Sequence, residues 1–122
     1  MGRIQAINKQ AISNEYYRHV LATGPKSQVV IMSIPAGGEV GAETHPDNDQ
    51  VLFLVEGSGK AILNGAEESF APGDAVLVPA GTRHNFVADP DAPLKIITVY
   101  APPHHPDGLI HKNKAQADAE GD

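Results

Sequence analysis

Short apolar runs, most of them rich in β-branched residues, recur along this chain at roughly ten-residue spacing, separated by glycine, proline and asparagine. The runs are YYRHVLA (16–22), SQVVIMSI (27–34), VLFLVEG (51–57), GKAILNG (59–65), DAVLVPAG (74–81) and LKIITVYAPP (94–103). Each has the length and composition of a β-strand with its punctuation. EGSG and NGAE read as tight hairpin turns; Asn64 and Gly65 suit the positive φ that both central positions of such a turn demand. No segment before residue 108 carries the 3.6-residue period of a core helix. The pattern predicts an all-β antiparallel barrel or sandwich of roughly eight to eleven short strands, with helix confined to about a turn near the C-terminus.

Composition narrows the picture. With 122 residues and no internal repeat, the expectation is one domain over 1–122, its core barrel spanning about 16–101 and a polar tail running over 104–122. The stretch HKNKAQADAEGD predicts one loose helical turn or a disordered end. A net charge of −6 weighs against nucleic acid and against an anionic membrane as partners. Cysteine is absent, which excludes disulfides and thiolate chemistry and agrees with a reducing cytoplasm. No apolar stretch approaches the ~20 residues of a membrane span, and MGRIQAINKQ has no apolar signal core, so a soluble cytoplasmic protein is expected.

Candidate chemistry gathers in ETHPDNDQ (43–50). In an extended chain Glu43 and His45, two apart, point the same way. Pro46 to Asp49 turns the chain, with Asp47 and Asp49 as turn-formers, and Gln50 begins the returning strand. GTRHNF adds His84 after the turn at Pro79 and Gly81, with Arg83 on the opposite face. Two imidazoles, one carboxylate and one amide oxygen form a mixed nitrogen and oxygen set suited to divalent Mn, Fe, Ni or Zn. Glu43 reads either as a ligand or as an acid/base residue beside the ion; Gln50 reads as a ligand or as the partner of a neighbouring turn. His19 reads as a strand surface residue, and His104, His105 and His111 as solvated side chains of a proline-rich loop and the tail. Met32, Ile34, Phe53, Phe86 and Tyr100 are candidates for an apolar pocket wall. Gly57, Gly59, Gly73 and Gly81 are expected at turns with positive φ.

The spacing of these residues carries a family resemblance. Gly37, five residues, Glu43, Thr44, His45, four residues, Gln50, six residues and Gly57 follow the first cupin motif, G-x(5)-H-x-H-x(3,4)-E-x(6)-G. Gly73, five residues, Pro79, Ala80, Gly81, two residues and His84 follow the second, G-x(5)-P-x-G-x(2)-H-x(3)-N, with Ala88 at its final position. The chain resembles a small single-domain cupin of the RmlC-like jelly-roll type over about residues 27–101. The resemblance implies a double-stranded β-helix with a metal inside the barrel, held by Glu43, His45, Gln50 and His84. Glu43 stands at the family's first His position and Gln50 at its Glu position, so one carboxylate remains in the set. Family members with Gln at the third position retain a metal, including ones acting on unsaturated uronates. The implied function is a metal-dependent enzyme acting on a small oxygenated substrate, a sugar acid or keto/enol compound, by isomerase/lyase or dioxygenase chemistry. A non-catalytic module binding a small ligand or a metal is the alternative. Runs that are apolar on both faces, VLFLV and IITVY, and the family's habit at this size imply a homodimer.

Overall fold

Residues 2–121 are described by a computed structural model. Among them nine strands and two short helices follow in the order α1 (Ile7–Ser13), β1 (Arg18–Thr23), β2 (Gln28–Ile34), β3 (Asp49–Glu56), β4 (Gly59–Leu63), β5 (Ala66–Phe70), β6 (Ala75–Val78), β7 (His84–Ala88), β8 (Leu94–Ala101), β9 (Ile110–His111) and α2 (Lys114–Ala119). The strands pair antiparallel in a six-stranded sheet, β6-β3-β8-β2-β1-β9, and a three-stranded sheet, β5-β4-β7. Side chains alternate across each sheet, and the inner faces meet in one core. The larger sheet supplies Val30, Met32, Leu52 and Ile96; the smaller supplies Ala61, Phe70 and Phe86. Each large apolar side chain buried there contributes roughly 1.5–3 kcal/mol. The result is the all-β jelly-roll barrel that the strand pattern predicts.

The turns follow local chemistry, with two corrections. Asn64 (φ 49°) and Gly65 (φ 83°) close the β4–β5 hairpin with both central residues left-handed, as expected. The EGSG turn is no hairpin: Gly57 and Ser58 carry the chain from β3 in one sheet to β4 in the other. Gly57 has φ 107°, and a Cβ there would strike the Pro93 carbonyl. Gly59 has no positive φ; it is glycine because a Cβ would run into the Val87 carbonyl of the neighbouring strand.

Four further expectations change. A helix does precede residue 108: α1 lies on the outer face of the large sheet, where Ala11 is fully buried with Ile31 and Ile97. Lys95 passes beneath its end, its Nζ donating to Asn14 O (2.6 Å) and Ser33 Oγ (3.0 Å). The C-terminal segment takes the helical alternative but is not loose: α2 has Asn113 as its N-cap, and Ala117 is fully buried against the barrel core. Met32, Ile34, Phe86 and Tyr100 face inward as expected, but Phe53 is 42% exposed on the outer face and lines no interior wall. The fourth change concerns histidines. His105 and His111 are buried and His104 is half-buried. Two buried amides turn that segment inward. Gln28 accepts from the His104 and His105 N–H groups (3.1 and 3.0 Å) and donates to His105 O (2.7 Å), while Asn48 donates to Pro102 O (2.6 Å).

Candidate metal centre

Backbone pairing brings together two chain segments that lie forty residues apart. Glu43 and His84 exchange both main-chain hydrogen bonds at 2.9 Å, an isolated antiparallel bridge outside the named ladders. His45 O accepts from Gly81 N at 2.9 Å, and Thr82 N bonds Pro79 O, so the Pro79–Gly81 turn is tied to the loop that carries His45. Asp49 Oδ1 caps the same turn through Ala80 N (2.9 Å). Only Glu43 makes a strand-like bridge; His45 lies in irregular chain, yet both side chains point to one place.

That place has the geometry of a cation site. Among the described residues, Glu43, His45 and His84 offer ligand atoms all within 4.8 Å of one another. His45 Nε2 lies 3.2 Å from Glu43 Oε1, and His84 Nε2 lies 3.6 Å from the same oxygen. Neither nitrogen makes a directed hydrogen bond, although both are sealed from solvent; the buried Gln50 Oε1 also has no partner. Burying three such polar atoms without partners costs on the order of 1–3 kcal/mol each, unless a ligand satisfies them.

Neighbouring groups hold these atoms in place. His84 Nδ1 lies 2.9 Å from Thr82 O, so Nδ1 carries the proton and Nε2 presents its lone pair. Gln50 donates its amide to Thr98 Oγ1 (3.1 Å), which turns its oxygen away from that hydroxyl. Burial would raise the Glu43 carboxyl, but the two imidazoles facing it outweigh burial and hold it at about 2. Burial would lower His84, yet Glu43 and the Thr82 carbonyl together raise it above its ordinary value. The donor set of two imidazoles and one ionised carboxylate fits a divalent ion.

A cleft of about 440 Å³ leads to Glu43 and His45 between the 40–45 loop and α2, with His104, Lys114 and Asp118 on its rim. The His104 ring packs against that of His45, centroids 4.4 Å apart, and stacks on Tyr100. His104 thus belongs to the mouth of the site, which its position in a proline-rich stretch does not reveal. Arg83 is exposed, opposite His84, as strand alternation predicts.

Residues 30–100 match the family described as Cupin domain. The chain is 37% identical over 122 residues to the uncharacterized protein YrkC of Bacillus subtilis, an overlap covering 95% of this chain and 66% of that protein. It thus spans just under two thirds of that relative's length. A shorter match, 32% identical over 76 residues, joins 59% of this chain to 42% of an acireductone dioxygenase of Sulfurihydrogenibium sp.. Among solved structures, BH2720 of Bacillus halodurans is similar with a TM-score of 0.94 and 38% identity, over 98% of this chain and 95% of that one.

Proposed function

This chain belongs to the cupin family, and from that premise we propose that it is a metal-dependent enzyme whose divalent ion (Mn, Fe, Ni or Zn) is held by Glu43, His45, Gln50 and His84. Its substrate is a small oxygenated molecule, a sugar acid or keto/enol compound. One observation carries the reading: His45 Nε2 and His84 Nε2, sealed from solvent and without hydrogen-bond partners, converge with the ionised carboxylate of Glu43 within 4.8 Å of one another.

Such an ion, when bound, supplies a Lewis acid that can take two neighbouring oxygens and stabilise negative charge developing on them. The chain's own groups do the rest. His84 and Gln50 keep fixed orientations through Thr82 and Thr98. Glu43 supplies the anionic charge; should it prove to stand beside the ion, it is the acid/base residue within reach of a bound substrate. The cleft volume of about 440 Å³ suits a small molecule. Tyr100 and Phe86 are buried in the barrel core beside it. Within the range of isomerase, lyase and dioxygenase chemistry, the 32% identity to an acireductone dioxygenase supports the dioxygenase variant.

Metal analysis of protein purified without chelators, followed by dioxygen uptake and solvent-hydrogen exchange with keto and enediol compounds, tests this reading. Near-stoichiometric metal and metal-dependent turnover are the expected results. Metal without turnover would reduce the protein to a ligand-binding module, and a metal-free barrel would sink the centre itself.

The same premise supports a homodimer. Leu77, Val51, Val99 and Val29 form one apolar row across the outer face of the large sheet, beside the row that α1 covers. Leu77 is 58% exposed. Sedimentation giving a monomer at micromolar concentration would remove the dimer. The lack of cysteine supports a cytoplasmic setting, and no helix among the described residues is long and apolar enough to cross a membrane.

A further inference from the structure

The short helix α2 brings one charged side chain to the mouth of the metal centre. Asn113 caps the helix, its Oδ1 accepting from Gln116 N at 2.8 Å, and Gln116 Oε1 accepts from Lys112 N at 2.8 Å. Ala117 seats it against the barrel core. Lys114 lies three residues before Ala117 and so shares the helix face that meets the barrel. Its side chain reaches the 40–45 loop: the point where a Cβ on Gly41 would stand is 3.6 Å from Lys114 Nζ and 3.7 Å from its Cε. The Gly41 N–H is in turn held by Asn85 Oδ1 of β7 at 2.9 Å, so the loop on which the ammonium rests is tied to the barrel.

One cleft joins this ammonium to the metal centre. Lys114, Asp118 and His104 line the same space of about 440 Å³ as Glu43 and His45, so room for a small molecule runs from one to the other. Two residues, at most about 7 Å of chain, separate Gly41 from Glu43. Among the described residues lining the cleft, Lys114 is the one permanent cation. An ammonium has three N–H donors, and Asp118 Oδ2 takes one of them at 2.7 Å. That contact is weak, since the two side chains are 37% and 54% exposed. It orients the ammonium and leaves two donors for a ligand. Charge then decides the ligand class. A divalent ion beside the Glu43 carboxylate leaves one positive charge, and Asp118 offsets that of Lys114. A single carboxylate would balance the cleft, whereas a phosphate dianion would overshoot it beside Asp118.

We propose that Lys114 determines specificity in this cleft: it holds the carboxylate of a substrate whose far end presents oxygens to the Glu43–His45–His84 centre. The substrate class narrows accordingly, from small oxygenated molecules to acids whose carboxylate stands apart from the hydroxyl or carbonyl oxygens that meet the ion. The proposal rests on the reading of that centre as a metal site. A neutral keto or enol compound would reach the ion but make no charged contact at Lys114.

The test is calorimetric titration of the full chain, Mn-loaded and metal-free, with galacturonate and 2-oxoglutarate. Each is compared with galacturonamide or 2-oxoglutaramate, in which the remote carboxylate is a neutral amide, and metal content is measured in every sample. The wild type is expected to bind at least one acid about 10-fold tighter than its amide. Lys114→Met should abolish that preference while retaining its metal. General damage to the fold would weaken acid and amide alike and leave their ratio standing. Lys112→Met removes an exposed lysine that does not line the cleft, and should keep the wild-type preference. Three results overturn the proposal: a wild type that binds neither acid better than its amide, a preference that survives in Lys114→Met, or one that falls equally in Lys112→Met. If the wild type holds no metal, the metal reading falls by itself, and the metal-free titration still decides for or against Lys114.

Discussion

Two buried polar clusters share the interior of this barrel, and each combines a carboxylate with imidazole. At Glu43, His45 and His84 the groups act in parallel: one atom of each lies within 4.8 Å of the others, and the Nδ1 donor of His84 is spent elsewhere, on Thr82 O. At Arg18, His111 and Glu120 they act in series, each donor answered by the next acceptor until one Arg18 N–H is left over. The parallel arrangement calls for a cation; the series arrangement satisfies itself except at Arg18 Nε. Residue type alone does not separate the two roles. The direction of lone pairs and N–H groups does.

The largest expected difference is in metal affinity. Glu43→Gln removes the only anionic group of the parallel cluster, and attraction between a carboxylate and a dication at contact amounts to several kcal/mol even when screened. Competition with a chromophoric chelator should show a loss on the order of 10²–10³-fold, with His84→Ala behaving alike. Gln50→Ala removes only a dipole and should lose about tenfold. Full occupancy in Glu43→Gln would take Glu43 out of the ligand set and leave it as an acid/base residue.

The series cluster should break differently. His111→Ala leaves Arg18 Nη1 unpaired and opens a cavity where a fully buried ring stood. The expected cost is about 3 kcal/mol of stability, or roughly 10 °C in Tm, with metal content unchanged. If metal were lost in proportion, the two clusters would be one coupled unit.

Acidity sharpens the contrast further. In the metal-free protein Glu43 and His84 stabilise each other. The folded pKa of His84 lies above its ordinary 6.5, so its contribution is fully present below 6.5 and is lost as pH rises through the raised value. Glu43 is lowered from 4.5 to about 2, so its contribution is present above 4.5 and is lost as pH falls towards 2. A metal needs His84 without its second proton. The rise in Tm on adding metal should therefore be greatest at alkaline pH and shrink as pH falls past the raised value of His84. A metal-induced rise independent of pH between 6 and 8 would exclude His84 as a ligand.

The parallel cluster is legible in the sequence because its residues fall at fixed spacings around two turns, and the backbone bridge between Glu43 and His84 turns that spacing into proximity. The series cluster is not. Arg18 and His111 are 93 residues apart, and nothing near either announces the other. His105 and His111 sit in polar, proline-rich chain that reads as solvated; what buries them is Gln28 and Asn48, amides from distant segments, together with α2. The helix α1 escapes the periodicity test for a similar reason. It has seven residues and one fully buried position, Ala11, too little apolar surface to make a stripe.

The smallest expected effect lies at the outer end of the series. Glu120→Gln keeps an oxygen for His111 Nε2–H and removes only the charge. The Glu120 side chain is 48% exposed, so water already screens that charge, and a contact of this kind is worth at most about 1 kcal/mol. Tm should fall by no more than about 3 °C, and metal content should hold. The same chemical change at Glu43, where the side chain is 24% exposed and faces two imidazoles, is the one expected to empty the metal centre. Identical substitutions thus separate a site that demands charge from one that demands only an acceptor. Should Glu120→Gln destabilise the protein as much as His111→Ala, its charge would be reaching Arg18 through the imidazole. The guanidinium would then be compensated from within.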